Sequence, residues 1–238
     1  MATMSLVRYG EPAGRWVLLA TVLGSGMAFV DGSVVNIALP HIAAELDANA
    51  AALQWTVNGY TLPLAAFILL GGSLGDRFGR RRVFVIGIGW FATASLLCGV
   101  APNIETLIAA RALQGVGGAL LVPGSLAILQ SSFDPTDRSR AIGAWSGLAG
   151  ITGATGPSFG GWLIEVASWR FVFLINLPFA VAVIAVALRH VPESADPDAI
   201  PRIDATGALL GAAGLAAVTY GFTAWPARGA TDRLCWAR

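Results

Sequence analysis

Apolar positions in this chain come in long runs separated by short polar stretches. A run of about 20 apolar residues is what a helix needs to cross a bilayer core about 30 Å thick. Six clear runs and a less regular seventh predict membrane-spanning helices at residues 16–39, 53–74, 83–100, 104–129, 141–164, 171–188 and 205–224. The pattern therefore predicts an all-α integral membrane protein with no inserted soluble domain.

The runs also predict the domain organisation. We expect an N-terminal segment at 1–15, a six-helix unit at 16–188, a linker at 189–204, a seventh span at 205–224 and an atypical tail at 225–238. The first run is too long for the apolar part of a signal peptide, so it is expected to remain in the mature protein. The tail fits neither a span nor a loop, because it carries Arg228, Arg233 and Arg238. We interpret it as a truncated or frame-shifted end.

Composition and charge narrow the function classes. The chain has 55% hydrophobic and 12% charged residues and a mean hydropathy of +0.68, which disfavours a soluble or disordered protein. A net charge of +1 does not indicate a nucleic-acid partner. Cys98 and Cys235 are too few for a disulfide scaffold or zinc site. No phosphate-binding loop, metal-spaced histidine cluster or nucleophile elbow occurs, so neither an enzyme nor a cofactor is predicted.

Arginines mark alternate connections between the spans, and such clusters face the cytoplasm. The external connections carry a single arginine, Arg170, whereas the others hold Arg8, Arg15, Arg77, Arg80, Arg81, Arg82, Arg138, Arg140, Arg189 and Arg202. This asymmetry predicts a multi-pass protein of the bacterial inner (plasma) membrane with a cytoplasmic N-terminus.

Two ionisable residues lie deep inside spans, Asp31 in the first and Arg111 in the fourth. Charges at membrane depth are costly, so such residues usually face a bundle interior or a water-filled cavity. Proton binding or substrate recognition is one interpretation, and a structural ion pair is the other. Gln114, Gly115 and Gly118 follow Arg111 on one helix face, which suits a cavity lining or a tight helix contact equally.

The fifth span carries small residues along its length, which permit close helix approach. These are Gly143, Gly147, Gly150, Gly153, Gly156, Gly160 and Gly161. Pro157 removes a hydrogen bond to the Gly153 carbonyl and should bend the helix. The stripe is either plain close packing or a seam that rearranges during transport.

The connection between spans two and three runs from Gly72 to Arg82. We expect its glycines to permit a tight turn and Asp76 to accept backbone hydrogen bonds at a neighbouring helix start. The arginines alone would also be explained as a positive-inside signal.

The ends of spans two and five share the pattern Gly-Gly-x-Leu-x-acid, at Gly71–Asp76 and Gly160–Glu165 respectively. Their spacing of 89 residues is what a pair of three-helix repeats with inverted topology would give.

These motifs resemble the first half of a major facilitator superfamily transporter, closest to the fourteen-span drug:proton antiporter family. The resemblance rests on the 72–81 connection, on Leu107 to Ala119, on Gly156-Pro157-x-x-Gly160-Gly161, on Asp31 to Pro40 with Asn36 inside it, and on Trp169 to Pro178. One departure is that the glycine upstream of Gly156 stands at Gly153 instead of position 152.

The resemblance implies a six-helix N-terminal bundle of 3+3 inverted repeats and proton-coupled export of drugs or other lipophilic or cationic compounds by alternating access. The lipid bilayer, protons and a small-molecule substrate would be its partners, and the proton gradient its energy source. Asp31, Asn36, Arg111 and Gln114 would handle proton or substrate. Gly72, Asp76, Arg77, Gly79, Arg80 and Arg81 would form a gating loop, and Gly153, Gly156, Pro157, Gly160 and Gly161 the antiporter bend.

A complete family member is about twice as long as this chain. A second half or a second copy would therefore be needed to close the cavity. Two alternatives stay open: a non-transporting half-transporter with a binding or regulatory role, and a major facilitator symporter.

Overall fold

A computed structural model describes residues 6–196 and 205–228, and within them the chain is almost entirely helical. Eight helices follow one another: α1 (Pro12–Leu46), α2 (Ala50–Phe78), α3 (Arg80–Gly99), α4 (Ile104–Ser132), α5 (Pro135–Val166), α6 (Arg170–Leu174), α7 (Asn176–His190) and α8 (Ala205–Arg228). No strand occurs in the described residues, where Val7 and Phe133 form an isolated β-bridge. The all-helical fold class is confirmed.

Each predicted span corresponds to a helix, with one subdivision. The sixth is split at Ile175 into α6 and α7. Pro178 explains the break, because a proline lacks the N–H that would bond to the carbonyl four residues earlier, at Leu174. The tail from 229 and the linker residues 197–204 lie outside the described part, so the predicted domain bounds remain predictions.

Polar side chains cap the starts of α2, α4 and α5, and of these helices α2 and α5 begin before the predicted spans at 53 and 141. Asn49 and Asn103 each accept a backbone N–H three residues ahead, at 2.9 Å. Asp134 accepts the N–H of Thr136 at 2.9 Å. Side-chain oxygens at these positions satisfy N–H groups that a helix start leaves without a partner.

Five stretches of the described helices are long and apolar enough to cross a membrane: Pro12–Leu46, Ala50–Phe78, Arg80–Gly99, Ile104–Ser132 and Arg170–His190. The chain is thus a multi-pass membrane protein. Helix α5 has the length, at 32 residues, but its many glycines dilute its apolar character. Membrane crossing by α5 and α8 stays a prediction.

The most extensive packing joins α2 to α4, α3 to α4 and α1 to α5. Glycines permit two of these contacts: a Cβ at Gly71 of α2 would overlap the Ala119 carbonyl oxygen, and a Cβ at Gly160 of α5 would overlap Val34. Gly71 and Gly160 are the equivalent glycines of the 89-residue repeat. The repeat therefore agrees with the packing. Helix α2 of the first three-helix unit packs on α4, the first helix of the second unit, and α5 of the second unit packs on α1, the first helix of the first unit.

Two apolar clusters fill the bundle. One gathers the N-terminal half of α1, the start of α3 and the ends of α4 and α7, with Phe84, Phe91 and Phe133 fully buried. The other lies around Ile42, Leu107 and Phe173. On α1, α3, α4 and α7, buried polar side chains lie between the positions that join the two clusters, so a polar layer separates two apolar layers.

Candidate functional site

The polar layer consists of five buried side chains on four helices. They are Asp31 on α1, Ser95 on α3, Arg111 and Gln114 on α4, and Asn176 on α7, each no more than 3% exposed. Uncompensated polar groups are costly in a helix bundle, so each needs hydrogen-bond partners from another helix. The layer consequently links helices that are distant in the sequence.

An ion pair lies at the centre of this layer. Arg111 Nη1 donates to Asp31 Oδ2 at 2.5 Å, with both side chains essentially inaccessible to solvent. Gln114 Nε2 donates to the other carboxylate oxygen, Oδ1, at 2.8 Å. Both oxygens of Asp31 are therefore occupied by donors from α4. Such a pair offsets the cost of burial only when its geometry and remaining hydrogen bonds are good, as they are here.

The Arg111 guanidinium has further hydrogen-bond partners besides Asp31. Nη1 donates to Gln114 Oε1 at 2.7 Å, and Nε to the Thr56 carbonyl of α2 at 3.3 Å. The guanidinium carbon lies 4.2 Å from the Tyr60 ring centroid and 5.7 Å from that of Phe173. Aromatic faces stabilise a desolvated cation, so Arg111 can stay charged inside the bundle.

Ser95 and Asn176 extend the layer beyond the residues that sequence patterns identified. Ser95 Oγ donates to the Phe173 carbonyl at 2.9 Å and accepts from Gln114 Nε2 at 3.1 Å and Asn176 Nδ2 at 2.9 Å. Asn176 Nδ2 also lies 3.4 Å from Asp31 Oδ1. In the sequence, Ser95 and Asn176 are single uncharged polar residues inside apolar runs. Such residues are too common in membrane spans to indicate a functional site.

Cys98 lies at the margin of this layer. It is fully buried, and its thiol contacts Gln114 Oε1 at 3.5 Å. Within the described residues no group of three or more His, Cys, Asp or Glu side chains could hold a metal ion.

The structure brings together only part of the predicted proton or substrate set. Asp31, Arg111 and Gln114 meet, whereas Asn36 is exposed and donates to the Gly32 carbonyl of its own helix at 3.1 Å. Of the two interpretations of the fourth-span face, helix contact holds for Gly115 and Gly118. A Cβ at Gly115 would overlap the Tyr60 carbonyl oxygen, and one at Gly118 would lie 3.1 Å from Leu64.

The connection between α2 and α3 turns at Gly79, whose φ of 108° favours glycine, as predicted for this residue. Gly75, which was expected to share the turn, lies inside α2. Asp76 pairs with Arg80, through Oδ1 to Nε at 2.8 Å and to Nη2 at 2.7 Å. The expectation that Asp76 accepts from backbone N–H groups at the helix start was wrong. Glu193 takes that place, accepting the Arg81 N–H at 3.0 Å, because the chain after α7 returns to the start of α3.

The rest of this gating-loop set lies around the turn. Arg77 has its guanidinium carbon 5.1 Å from the Phe78 ring centroid. Arg81 also donates to the Val191 carbonyl at 3.0 Å. A Cβ at Gly72 would lie 3.8 Å from Pro123 of α4, so that glycine belongs to the α2–α4 contact. The returning segment 191–196 adds two backbone hydrogen bonds, Arg80 N–H to the Ser194 carbonyl and Asp196 N–H to the Asp76 carbonyl, both 2.8 Å.

The small residues of α5 divide into two groups. A Cβ at Gly156 or Gly160 would overlap Ser33 or Val34 of α1, and Gly153 and Gly161 lie within ordinary contact of the same helix. Gly143, Gly147 and Gly150 have no described atom within 4 Å of an added Cβ. Helix α5 continues through Pro157 without interruption. Close packing therefore accounts for the second half of the stripe and not for the first.

A family model and several known proteins match the sequence of this chain. The family model of the Major Facilitator Superfamily matches residues 21–230. The "Probable actinorhodin transporter" of Streptomyces coelicolor is 40% identical over 90% of this chain, and "Multidrug resistance protein Stp" of Mycobacterium tuberculosis is 39% identical over 90%. "Puromycin resistance protein pur8" of Streptomyces alboniger is 39% identical over 89%. The chain spans only 39–42% of the length of these three relatives.

Solved structures agree on the fold. A peptide transporter, POT, in complex with sulfate superposes with a TM-score of 0.69 over 96% of this chain and 49% of its own, at 14% identity. A bacterial homologue of the human lysosomal transporter Spinster gives 0.59 over 92% of this chain and 55% of its own, at 24% identity.

Proposed function

The chain belongs to the Major Facilitator Superfamily, and we propose that it is the N-terminal half of a fourteen-span exporter that exchanges drugs or other small lipophilic or cationic compounds for protons. The names of its relatives support the export of antibiotics. The single observation that carries the proton half of the proposal is the buried pair of Asp31 and Arg111. A transporter needs no catalytic cluster or cofactor for this work, because the proton gradient is its energy source.

The proposed coupling begins at Asp31. Adding a proton to its carboxylate removes the negative charge that faces Arg111 and turns an acceptor oxygen into a donor. The hydrogen bonds from Arg111 and Gln114 to Asp31 are then weakened together. Since these bonds hold α1 against α4, protonation shifts the balance between two packings of the helices. A proton arriving from outside would thus favour the state that releases substrate, and its loss to the cytoplasm would restore the binding state.

Arg111 has a different role in this proposal. A guanidinium stays charged at all relevant pH values, so it cannot carry the proton. It instead lets Asp31 remain ionised between turnovers, because it supplies the compensating charge. Gln114 positions the pair by bonding to both residues. Asn36, which lies outside the layer, is proposed only as a substrate contact on the exposed face of α1.

We call the end of the bundle that carries Arg77, Arg80–Arg82 and Arg189 the arginine-bearing end. It is proposed to face the cytoplasm of a bacterial inner membrane. This follows the arginine asymmetry between alternate connections. Asp76 and Arg80 pair at that end, where they would stabilise the outward-open state. Gly156 and Pro157 are proposed to shape the seam between α5 and α1 that keeps the exchange proton-tight, which is supported by the close approach of Gly156 to Ser33.

A second half is proposed to complete the cavity, either from a longer chain or from a second copy. Large apolar side chains on α2 and α5 are exposed: Leu69 by 82%, Ile151 by 62% and Trp162 by 57%. Faces of this kind are buried by lipid or by a further set of helices.

The test is pH-gradient-driven uptake of puromycin into inverted membrane vesicles that contain the chain, comparing Asp31→Asn with wild type. Asparagine keeps the shape but cannot exchange a proton, so we expect coupled uptake to fall at least tenfold. Glu105→Gln is the matched control, because Glu105 is an exposed carboxylate in the first turn of α4. Coupled uptake by Asp31→Asn would remove Asp31 from the mechanism, and no uptake by wild type would reject transport by these 238 residues, or by two copies of them, without a further half.

A further inference from the structure

Polar groups gather around Arg170, the single arginine in the connections that the sequence predicts to be external. Its Nη2 donates to Glu45 Oε1 at the end of α1, at 2.8 Å. Its Nη1 donates to the carbonyls of Gly99 at 3.3 Å and Ala101 at 2.8 Å, at the end of α3. Trp169 Nε1 donates to the other Glu45 oxygen, Oε2, at 2.7 Å. These three side chains and two carbonyls, which we call the outer cluster, fasten the start of α6 to the ends of α1 and α3.

Arg170 holds its partners through geometry more than through charge. The side chains of Arg170 and Glu45 are 27% and 47% exposed, so their ion pair by itself contributes little. The planar guanidinium nevertheless reaches Glu45 and two carbonyls together, and carbonyls at a helix end lack a partner within their own helix. The buried Trp169 ring supports it, with its centroid 4.4 Å from the guanidinium carbon. A lysine would keep the charge but could not make all three contacts at once.

Helix α6 depends on these contacts for its position. It has only five residues, Arg170–Leu174, and so short a helix is not stable by itself. A Cβ at Gly99 would overlap the Leu174 side chain, so α6 lies directly against the end of α3. The outer cluster and this close approach therefore set where α6 lies.

The last turn of α6 contacts the polar layer. The Phe173 carbonyl accepts from Ser95 Oγ at 2.9 Å, and the Phe173 ring centroid lies 5.7 Å from the Arg111 guanidinium carbon. The same ring meets the Trp169 ring edge to face, with centroids 6.1 Å apart. The outer cluster and the polar layer are therefore in contact through one turn of helix.

We propose that Arg170 is a positioning residue for Asp31, because it fixes α6 relative to the two helices that Asn176 joins. Asn176 comes just after α6, and its Nδ2 donates to Asp31 Oδ1 of α1 at 3.4 Å and to Ser95 Oγ of α3 at 2.9 Å. Arg170 fastens the same two helices at their ends. A shift of α6 therefore alters the hydrogen bonds that Asp31 receives. The proposal rests on the proposed function only in taking Asp31 as the group that exchanges the proton.

A purely local role for Arg170 is the alternative. In that case the outer cluster stabilises its own end of the bundle, and its loss lowers stability without changing the polar layer. Stability alone does not separate the two roles, so the signal to follow is that of a side chain in the layer that Arg170 does not touch. The Asn176 amide is suitable, because its Nδ2 donates to two buried acceptors.

The test is nuclear magnetic resonance of the 238-residue chain in detergent micelles, with isotope-labelled asparagine. The chain has five asparagines, and Asn176→Leu identifies the Asn176 side-chain signal by its loss. In the wild type we expect slow hydrogen exchange of this amide. Arg170→Lys should accelerate the exchange about tenfold, the effect of losing one neutral hydrogen bond, and should move the signal toward that of a solvated amide.

Arg140→Lys is the matched control. Arg140 is exposed and its guanidinium carbon lies 4.6 Å from the Tyr9 ring centroid, so the same substitution is made far from α6 and should leave the Asn176 signal unchanged. Glu45→Ala is a second test, because it removes the contact with α1 and leaves the two carbonyls in place. It should move the signal in the same direction by less. Asp31→Asn should also move the signal, because the acceptor of Asn176 loses its charge.

Rapid exchange of the Asn176 amide in the wild type would overturn the proposal. An identical signal in wild type, Arg170→Lys and Glu45→Ala would do so too, as would an equal change in Arg140→Lys or an unchanged signal in Asp31→Asn. The measurement needs neither a gradient nor a substrate. Failed uptake with the expected spectra therefore rejects the transport proposal alone, and unchanged spectra with intact uptake reject the positioning role alone.

Discussion

Two regions of this molecule use the same aspartate–arginine chemistry in different environments. In the polar layer, the side chains of Asp31 and Arg111 are 0% and 1% exposed, and hydrogen bonds from other helices surround them. At the arginine-bearing end, those of Asp76 and Arg80 are 38% and 18% exposed and lie four residues apart in sequence, across the turn between α2 and α3. The first pair links two helices inside the bundle, whereas the second fastens a local turn.

The difference lies in what each pair loses when it is broken. Water solvates an exposed charge that has lost its partner, so exposed pairs contribute only about 0.2–1 kcal/mol. A buried charge without its partner has no such relief, and breaking a buried pair costs about 3–5 kcal/mol. The buried pair is therefore suited to switching by one proton, and the exposed pair to fine adjustment of a turn.

The largest effect is expected for Arg111→Met. This change leaves the Asp31 carboxylate buried with hydrogen bonds only from neutral amides, and should destabilise the protein by about 3–5 kcal/mol. The measurement is the free energy of unfolding of the purified protein in detergent, by denaturant titration followed through helical circular dichroism.

The matched control for this prediction is the double variant Asp31→Leu with Arg111→Met. It removes both charges and should recover most of the lost stability, because well-packed apolar residues often replace a buried pair without cost. Equal destabilisation of the single and double variants would show that packing, and not charge, holds the layer together.

An intermediate effect is expected for Glu193→Ala at the arginine-bearing end. Glu193 Oε1 accepts the backbone N–H groups of Arg81 at 3.0 Å and Ser194 at 3.1 Å, and its Oε2 lies 3.6 Å from Arg81 Nε. These side chains are about one-third exposed, so we expect a loss of about 1 kcal/mol, the worth of an ordinary hydrogen bond. Amide hydrogen exchange should accelerate at the start of α3.

Glu193→Gln is the control for this second prediction. Glutamine keeps an acceptor oxygen for the Arg81 N–H and removes only the charge, so exchange should stay closer to wild type. If both variants behave alike, the ion pair and not the backbone hydrogen bond fixes the segment after α7.

The sequence predicted some residues of the polar layer and of the arginine-bearing end, but not all of them. The helical spans, the two isolated charges Asp31 and Arg111 and the turn at Gly79 followed from hydropathy, burial cost and backbone geometry, whereas the division of the sixth span into α6 and α7 did not. Ser95 and Asn176 did not, because one uncharged polar residue in an apolar run costs too little to be conspicuous. Glu193 was missed for another reason: its contact with Arg81 spans more than a hundred residues, and local patterns do not encode the return of the chain after α7.

The smallest effect is expected for Asp76→Asn. The Asp76–Arg80 pair is partly exposed, so replacing the carboxylate with an amide should lower the free energy of unfolding by about 0.2–1 kcal/mol. Salt screens such a pair, and the difference from wild type should shrink between 0.05 M and about 1 M sodium chloride, where the Debye length falls to about 3 Å. The destabilisation of Arg111→Met should persist at high salt, since ions do not reach the polar layer. A salt-independent loss of several kcal/mol in Asp76→Asn would mean that the two pairs are energetically alike, and the contrast between the regions would be wrong.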